Sequence, residues 1–371
     1  MHFRNKLTRL LAQERPSPEP LVARELVLYG AGNCGRATAA LAATRGLEVV
    51  AFLDVKADAK GSVDGVPCHK PGSAEARELG TRKIPVALAV FNYETDPGPI
   101  VDSLKASGFE HVISYYQLHE QLQAPTQFWL TDRSFYHPHA REILEGFDLF
   151  SDEVSQQIYC DCIALRLSFD LGLLRNPDRT NHYFPKDLPA PSRPVRMVDG
   201  GAYTGDTIEE LLKRQLPIEA LAAFEPDPAN FLKLTQRATE RFSQLRDLSL
   251  LPCGLGETTS LNRFAQGREG GSALHSEANT FVQVVALDEA LPNFAPTFIK
   301  LDIEGAEPEA LRGAAGLIRR YQPSLAVSVY HKPEHLWTIP AQMQRLLPAS
   351  RLALRYHQFN GFDIVAYAIP E

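Results

Sequence analysis

The stretch RMVDGGAYTGDT, residues 196–207, carries the strongest fold signal in this sequence. Its apolar start predicts a β-strand that ends at Asp199, and Gly201 and Gly205 then allow a tight turn with a close backbone approach. A strand, a glycine turn and a helix in this order line the ligand crevice of an open α/β sheet. The stretch therefore predicts a Rossmann-like domain and the position of its ligand.

The acidic residue before the glycines indicates the chemistry of that ligand. A carboxylate at Asp199 repels a pyrophosphate and attracts a cation, which separates this turn from the fingerprint of dinucleotide-binding proteins. Such a turn suits the amino-acid end of S-adenosylmethionine. The helix predicted to begin near Asp206 and Thr207 adds its first residues to the same site.

The next two predicted strands extend this site. The first of them ends in FEPD, where Glu225 lies 24 residues after Gly201. At about this spacing an acidic side chain reaches the ribose hydroxyls of a nucleoside. Cys253 and Gly254 end the following strand and are expected near the adenine, where backbone groups can read the ring. Together these residues predict an adenosyl-binding site.

Charged residues at the ends of the fourth and fifth predicted strands indicate the reaction. Lys300, Asp302 and Glu304 alternate in the sequence, which places three side chains on one face of the strand. We expect Asp302 or Glu304 to contact or deprotonate an acceptor hydroxyl, and His331 is a candidate for the same role. Lys300 either takes part or neutralises the neighbouring carboxylates. Asp302, Glu304 and His331 could also hold a divalent cation that binds a sugar diol.

The stretches that carry a family resemblance are VDGGAYTGDT, AFEPDPANFLKL, TFIKLDIEGAEPEALRGA and SVYHKPEHLWTIP. They resemble the FkbM family of S-adenosylmethionine-dependent methyltransferases, and the resemblance extends from Ser151 to the C-terminus. It implies a class I methyltransferase fold with S-adenosylmethionine as the cofactor. It also implies O-methylation, the transfer of a methyl group to a hydroxyl oxygen, usually on a sugar, a glycan or a polyketide-like small molecule.

A second glycine motif lies near the start of the chain. GAGNCG places Gly30, Gly32 and Gly35 at GxGxxG spacing after an apolar strand, and Asp54 ends the next strand 24 residues after Gly30. This pattern matches the dinucleotide fingerprint of Rossmann folds. Two interpretations follow. The motif forms a nucleotide or nucleotide-sugar site, or it belongs to a fold used for packing or for recruiting the acceptor.

The length and the order of predicted elements divide the chain into two α/β domains. A chain of 371 residues and 41.2 kDa is long enough for two separate cores. We predict a Rossmann-like domain over residues 1–120, a helical linker over 121–194 with a helix capped at Ser151, and a methyltransferase domain over 195–371. The last domain is predicted to have a seven-stranded class I sheet that closes with an antiparallel β-hairpin.

The composition excludes several classes of protein. Hydrophobic residues make up 44% and charged residues 22%, and the mean hydropathy is -0.20, values typical of a globular fold. The net charge of -7 provides no field for binding nucleic acid. No apolar run approaches the ~18 residues of a membrane span. The 5 cysteines have neither zinc-site nor redox spacing, and we expect a reduced, cytoplasmic protein.

The sequence is compatible with two other functions. The N-terminal motif would suit an NAD(P)-dependent oxidoreductase, and both folds would suit a non-catalytic sensor or assembly protein that binds a nucleotide. The glycine-rich loop FAQGREGGSALHSEANTF, with Ser272 and His275, is a candidate cover for the acceptor. The identity of the acceptor and the oligomeric state do not follow from the sequence.

Overall fold

The computed structural model describes residues 2–13, 24–57, 61–192, 194–265, 273–274 and 280–370. The chain forms two compact units, each assembled from three stretches. Unit 1 comprises Met1–Leu144, Ile158–Pro177 and Gln358–Phe362, and unit 2 comprises Glu145–Gln157, Asp178–His357 and Asp363–Glu371. The domain boundaries expected near residues 120 and 194 stay a prediction.

Unit 1 contains a sheet of six strands. The strands are β1 (Glu25–Tyr29), β2 (Glu48–Leu53), β3 (Ser62–Val63), β4 (Val66–His69), β5 (Val86–Leu88) and β6 (Val112–Ile113). They lie in the order β3-β4-β2-β1-β5-β6, and each neighbouring pair is parallel except β3 with β4. This mainly parallel sheet is the Rossmann-like arrangement expected from the first glycine motif.

The helices that precede the second large sheet are α1 (His2–Ala12), α2 (Asn33–Thr44), α3 (Ala74–Thr81), α4 (Pro97–Ala106), α5 (Tyr115–Gln121), α6 (Ala140–Asp148) and α7 (Glu153–Ser168), with a 3₁₀ helix over Arg133–Tyr136. Helix α7 begins one residue later than its predicted cap implies. Asp152 Oδ1 accepts the Ser155 N–H at 2.9 Å, so Asp152 is the cap in place of Ser151. A carboxylate satisfies an N–H of the first turn and favours the helix dipole.

Unit 2 contains the remaining strands. They are β7 (Val195–Gly200), β8 (Ile218–Phe224), β9 (Leu248–Leu251), β10 (Gly254–Leu255), β11 (Ser260–Ala265), β12 (Ala273–Leu274), β13 (Thr280–Val285), β14 (Phe298–Leu301), β15 (Ser324–Ser328), β16 (Ser350–Tyr356) and β17 (Ile364–Pro370). Its later helices are α8 (Asp206–Lys213), α9 (Pro228–Arg241), α10 (Leu287–Ala290), α11 (Glu307–Gly313), α12 (Ala315–Tyr321) and α13 (His335–Leu346), and a 3₁₀ helix spans Phe359–Gly361.

The large sheet of unit 2 has the order β16-β17-β15-β14-β7-β8-β9, and a smaller sheet has the order β10-β13-β11-β12. In the large sheet the five strands from β15 to β9 are parallel, whereas β17 is antiparallel to both β15 and β16. The predicted seven-stranded class I methyltransferase sheet with its C-terminal antiparallel hairpin is confirmed.

The buried core of unit 2 holds the strands whose carboxyl ends carry the loops of the candidate site. Met197, Leu221 and Phe298 pack in one buried cluster, and β14 is buried along its whole length. Parallel strands with covered faces read as continuous apolar runs, which is why these strands were visible in the sequence. The carboxyl ends of the parallel strands meet at one edge, so the loops after β7, β8, β14 and β15 lie together there.

One strand ends earlier than the sequence predicts. Strand β9 ends at Leu251, before Cys253, because Pro252 has no N–H for the ladder, and Gly254 instead begins β10.

Ser272 and His275 lie outside the described residues, so the cover over the acceptor stays a prediction. In the described part of the chain, no helix combines the length and the apolar character that a membrane crossing requires.

Candidate active site

The glycine loop after β7 approaches the end of β14 closely. Gly201 has a φ of 75°, and a side-chain carbon placed on it would collide with the carbonyl oxygen of Asp302. Gly205, with a φ of 89°, precedes α8, where Asp206 is exposed and Thr207 is buried. Other residues rarely adopt these backbone angles. The loop is therefore a narrow cradle in which no side chain separates the backbone of Gly201 from β14.

Glu225 follows β8 and ties the glycine loop to the next loop. Its Oε2 accepts the Tyr203 N–H at 2.8 Å, and its Oε1 accepts the Asp227 N–H at 2.8 Å. Burial raises the pKa of Glu225 to about 7, although the two amide hydrogen bonds oppose this shift. Each oxygen retains a lone pair, so the carboxylate can also accept hydrogen bonds from ribose hydroxyls.

The third loop lies next to the Glu225 loop. Gly254 pairs with Val284 in the small sheet, and a side-chain carbon placed on it would lie 3.9 Å from Pro226. Cys253 is buried, and burial raises the pKa of its thiol to about 11. Cys253 is therefore an uncharged thiol at neutral pH, and a contact of this loop with the adenine stays a prediction.

Asp199 and Lys300 form an ion pair inside the sheet. Lys300 Nζ lies 3.0 Å from Asp199 Oδ1, and it donates hydrogen bonds to the carbonyl oxygens of Gly200 at 3.1 Å and Gly201 at 2.6 Å. Burial disfavours the charge on Lys300, but the carboxylates of Asp199 and Asp302 outweigh it and raise the pKa of Lys300. Lys300 thus neutralises Asp199 and holds the glycine loop, while Asp199 itself is fully buried.

Asp302 directly follows β14, and its side chain is 23% exposed. Its Oδ2 accepts the Tyr183 hydroxyl at 2.7 Å, and its Oδ1 lies 3.5 Å from His331 Nε2. Burial opposes ionisation, but the charges of His331 and Lys300 outweigh it and lower the pKa of Asp302 to about 2. Asp302 is therefore a carboxylate with one oxygen, Oδ2, already occupied.

His331 follows β15 and is surrounded by three carboxylates. Its Nδ1 lies 2.9 Å from Glu307 Oε1, and its Nε2 lies 3.5 Å from Asp302 Oδ1 and 3.6 Å from Glu304 Oε2. Burial favours the neutral ring, but the carboxylates outweigh it and raise the pKa of His331 to about 10. At neutral pH His331 is a cation that holds the carboxylates together, and this arrangement gives no support to its expected role as a base.

Glu304 and Glu307 lie in the turn after β14. Because β14 ends at Leu301, strand alternation does not extend to Glu304, which instead adopts a φ of 57° and keeps a side chain that is 23% exposed. Glu307 is fully buried, and its Oε1 accepts the N–H groups of Ile303 at 2.9 Å and Gly305 at 3.3 Å. Burial raises the pKa of Glu304 to about 8 against the attraction of the adjacent imidazolium. The turn, and not the strand, carries Glu304 into the cluster.

Sequence reasoning missed the roles of three residues in this cluster. Tyr183 donates a hydrogen bond to Asp302 from the segment before β7, and Glu307, which no sequence pattern marked as a site residue, pairs with His331. Asp363 lies at the start of the last strand region, and burial raises its pKa to about 7. The YFP at residues 183–185 lies within the part of the chain, from Ser151 onward, that resembles the FkbM family, and this resemblance is the sequence signal for Tyr183.

A metal ion is one candidate occupant of the cluster. Among the described residues, Asp302, Glu307 and His331 offer ligand atoms that all lie within 4.8 Å of one another. Glu307 Oε1 already accepts two backbone N–H groups and faces His331, so a metal ion there would compete with the bonds that hold the turn. Carboxylates and an imidazole suit divalent cations, so removal of metal ions is a direct test.

The first glycine motif forms a comparable loop in unit 1. Gly30 has a φ of 107°, and a side-chain carbon on Gly35 would collide with the carbonyl oxygen of Gly30. Gly32 precedes α2 without a side-chain cap, and Asp54 Oδ2 accepts the Ala31 N–H at 2.9 Å. Asp54 thus closes this loop, and nucleotide binding by it stays a prediction.

Comparison with known proteins agrees with this geometry. Residues 199–360 match the family described as the methyltransferase FkbM domain. None of the curated proteins is similar in sequence to the chain at a significant level. Among solved structures, the chain is similar to the crystal structure of methyltransferase FkbM from Methylobacillus flagellatus KT, with a TM-score of 0.78 and 21% identity over 98% of this chain and 93% of that chain.

The family match defines the class of the domain over residues 199–360, which is an S-adenosylmethionine-dependent methyltransferase domain, and the similar solved structure agrees in fold. The domain formed by residues 199–360 belongs to the FkbM methyltransferases. The residues present fit the cofactor of this class, because the glycine cradle excludes side chains beside Gly201 and a buried carboxylate, Glu225, borders the cradle.

Proposed function

We propose that this protein transfers a methyl group to a hydroxyl oxygen of a sugar, a glycan or a related small molecule. The observation that carries the proposal is the convergence of Asp302, Glu304 and His331 beside the glycine loop, at the carboxyl ends of two adjacent parallel strands. Methyl transfer to oxygen requires that the acceptor is aligned and that its proton is removed, and carboxylates perform both tasks.

The cofactor supplies an electrophilic methyl group when it is bound. The tight turn at Gly201 and Gly205 shapes the loop that would hold its amino-acid end, and Asp206 adds an exposed negative charge at the start of α8. Glu225 accepts hydrogen bonds from the ribose hydroxyls. Asp199 acts through Lys300, which keeps the glycine loop in place.

Two carboxylates act on the acceptor: one orients it and the other accepts a proton. Asp302 Oδ1 accepts the hydrogen of one acceptor hydroxyl and so orients the acceptor, since Oδ2 is held by Tyr183. As the oxygen of the adjacent acceptor hydroxyl bonds to the methyl carbon and the carbon–sulfur bond of the cofactor breaks, which leaves a neutral thioether, the proton of that hydroxyl passes to Glu304. Its pKa, raised by burial to about 8, makes it a stronger base than an ordinary carboxylate. The imidazolium of His331 keeps both side chains near each other.

The charges around the cluster support an uncharged acceptor. The cations Lys300 and His331 already face Asp199 and Glu307. An anionic acceptor would approach the carboxylates of Asp302 and Glu304, and like charges at close range repel. A polyhydroxyl compound avoids this repulsion and can use both carboxylate partners.

The test is methyl transfer from labelled S-adenosylmethionine to a panel of simple glycosides, followed by mass spectrometry of the product. We expect an added methyl group on a hydroxyl, and loss of transfer in Asp302→Asn. Asp288→Asn is the matched control, since Asp288 caps α12 through the Gly316 and Leu317 N–H groups. Transfer that goes only to nitrogen or carbon atoms, or no transfer with any acceptor, would overturn the proposal.

A cation-dependent version of this reaction has its own support in the arrangement of Asp302, Glu307 and His331. A bound divalent cation would polarise an acceptor hydroxyl and lower its pKa. If a chelator abolishes turnover and a divalent cation restores it, the cation version is correct. Turnover that is unchanged after chelation assigns the deprotonation to the carboxylates alone.

A further inference from the structure

Tyr183 lies in the segment between α7 and β7 and contacts the proposed acceptor site. Its hydroxyl donates a hydrogen bond to Asp302 Oδ2 at 2.7 Å, and its side chain is buried. We infer that Tyr183 is a positioning residue, which locks the Asp302 carboxylate so that Oδ1 alone meets the acceptor hydroxyl. This inference rests on the proposed function, in which Asp302 orients the acceptor.

The surroundings of Tyr183 hold its ring in one position. The His182 ring stacks on it with a centroid distance of 3.8 Å and an interplanar angle of 19°, and Lys300 Nζ lies 5.2 Å from the ring centroid. The backbone of Tyr183 has a φ of 62°, which is unfavourable for a bulky residue. A strained backbone persists only where surrounding contacts fix it, and such sites are frequent near reaction centres.

The hydrogen bond removes a degree of freedom from Asp302. A carboxylate on a short side chain can rotate and exchange its two oxygens. Rotation would move Oδ1, the oxygen that meets the acceptor hydroxyl, away from His331 and Glu304. With Oδ2 held by Tyr183, Oδ1 stays 3.5 Å from His331 Nε2. Orientation of this kind contributes to the rate, because a small displacement of a reacting group costs up to about 100-fold.

Tyr183 acts without changing the charge of the site. Burial and the charge of Asp302 raise the pKa of Tyr183 well above its usual value, so the phenol stays neutral. The ionisable groups that also influence Asp302 are Lys300, His331, His182, Asp199, Glu304, Asp363 and Tyr330. Replacing Tyr183 with Phe deletes one hydrogen bond and leaves all of these groups in place.

A double-mutant cycle tests the inference. Tyr183→Phe should lower kcat about 10- to 100-fold and leave the Kd for S-adenosylmethionine unchanged. In the Asp302→Ala background, Tyr183→Phe should have no further effect on kcat, because the acceptor of the Tyr183 hydrogen bond is already gone. Tyr116→Phe is the matched control, since Tyr116 is also buried and its hydroxyl donates a hydrogen bond to Asn360 Oδ1 at 2.7 Å.

The outcomes separate this inference from the proposed function. Effects of Tyr183→Phe and Asp302→Ala that multiply, or equal losses in Tyr183→Phe and Tyr116→Phe, would overturn the positioning role. Full turnover in Asp302→Asn would overturn the role of Asp302 itself. If Tyr183→Phe does not fold, 3,5-difluorotyrosine at position 183 keeps the ring and the hydroxyl. It should retain kcat close to that of the wild type, and a loss of 10-fold or more would contradict the inference.

Discussion

The two glycine loops of this protein are built alike but lie among different neighbours. In each unit a strand leads through glycines into a helix. An acidic residue that lies 24 residues after a glycine of the loop, Gly30 or Gly201, accepts an N–H group of that loop. Asp54 bonds to the Ala31 N–H, and Glu225 bonds to the Tyr203 N–H. This shared hydrogen bond satisfies a loop donor in either unit. A glycine loop with its acid is therefore compatible with a ligand site and also with a turn that needs no ligand.

The difference lies in the strand beside each loop. Strand β5, next to β1, is followed by the buried residues Ala89 and Phe91. Strand β14, next to β7, is followed by Asp302 and Glu304, and β15 is followed by His331. Buried charges are costly unless they serve a ligand or one another. The loops after the neighbouring strands, and not the glycine motif, therefore distinguish unit 2 from unit 1.

The largest effect is expected at Glu304, which has no counterpart among the apolar residues after β5. Glu304→Gln should lower turnover by roughly 100- to 10,000-fold, the range of a positioned base. Because burial raises the pKa of Glu304 to about 8, wild-type turnover should rise as the pH increases through this value and the carboxylate ionises. Methyl-transfer rates measured against pH check both statements.

The control for this prediction is Glu309→Gln, which removes an exposed glutamate that pairs with Arg312 on α11. It should leave turnover and its pH dependence unchanged. A pH profile of Glu304→Gln that still rises near pH 8 would assign the proton transfer to another group.

The next largest effect is expected on the free energy of unfolding, at the buried ion pair of Asp199 and Lys300 in unit 2. Lys300→Met leaves Asp199 buried without a cation, and loss of one partner of a buried pair costs about 3–5 kcal/mol. The double variant Asp199→Asn, Lys300→Met should recover much of this loss, because no uncompensated charge remains. Urea denaturation measures the free energy of unfolding, and a loss below ~1 kcal/mol in Lys300→Met would contradict the structural role.

The two loop acids give a direct test of the comparison. Glu225→Ala should weaken S-adenosylmethionine binding by about 10- to 150-fold, equivalent to the ~1.5–3 kcal/mol of a hydrogen bond to a charged group. Asp54→Ala removes the matching acid of unit 1 and should leave this affinity unchanged. Calorimetry compares the two, with circular dichroism to check folding. If both changes weakened S-adenosylmethionine binding equally, the affinity would depend on both glycine loops and not on the loop of unit 2 alone.

The effect that is confined to alkaline pH concerns the stability of unit 2. The folded-state pKa of His331 is raised to about 10, above the ~6.5 of an unfolded histidine. Its stabilising contribution is therefore complete below about pH 6.5 and is lost as the pH rises toward 10. His331→Gln should make the melting temperature decline less steeply over this interval.

His335→Gln is the control for the stability prediction. Burial lowers the pKa of His335 to about 4, so this histidine is neutral throughout the alkaline interval and should not alter the slope. Identical slopes in the wild type and in His331→Gln would show that the three carboxylates do not hold a charged imidazole.

Much of the fold followed from local patterns. The apolar runs of β7, β8, β14 and β15 were visible because parallel strands are covered on both faces, and the glycines after β7 marked the turn. Spacing also located Glu225 beside that turn, since two successive strand ends always meet at the same edge of a parallel sheet. Glu304 is different, because its place depends on a left-handed turn at φ 57° that no alternation rule predicts.

The order of amino acids is sufficient to predict the class of sheet, the glycine cradle and the set of charged residues near it. The pairing of those charges is visible only in the folded chain: Lys300 binds Asp199, His331 is held between carboxylates, and Tyr183 bonds to Asp302 across 119 residues of chain. Sequence patterns could not predict this pairing, because a pKa and a hydrogen bond depend on burial and on distances in space. Strand periodicity and turn residues, by contrast, are local properties that the order of amino acids carries directly.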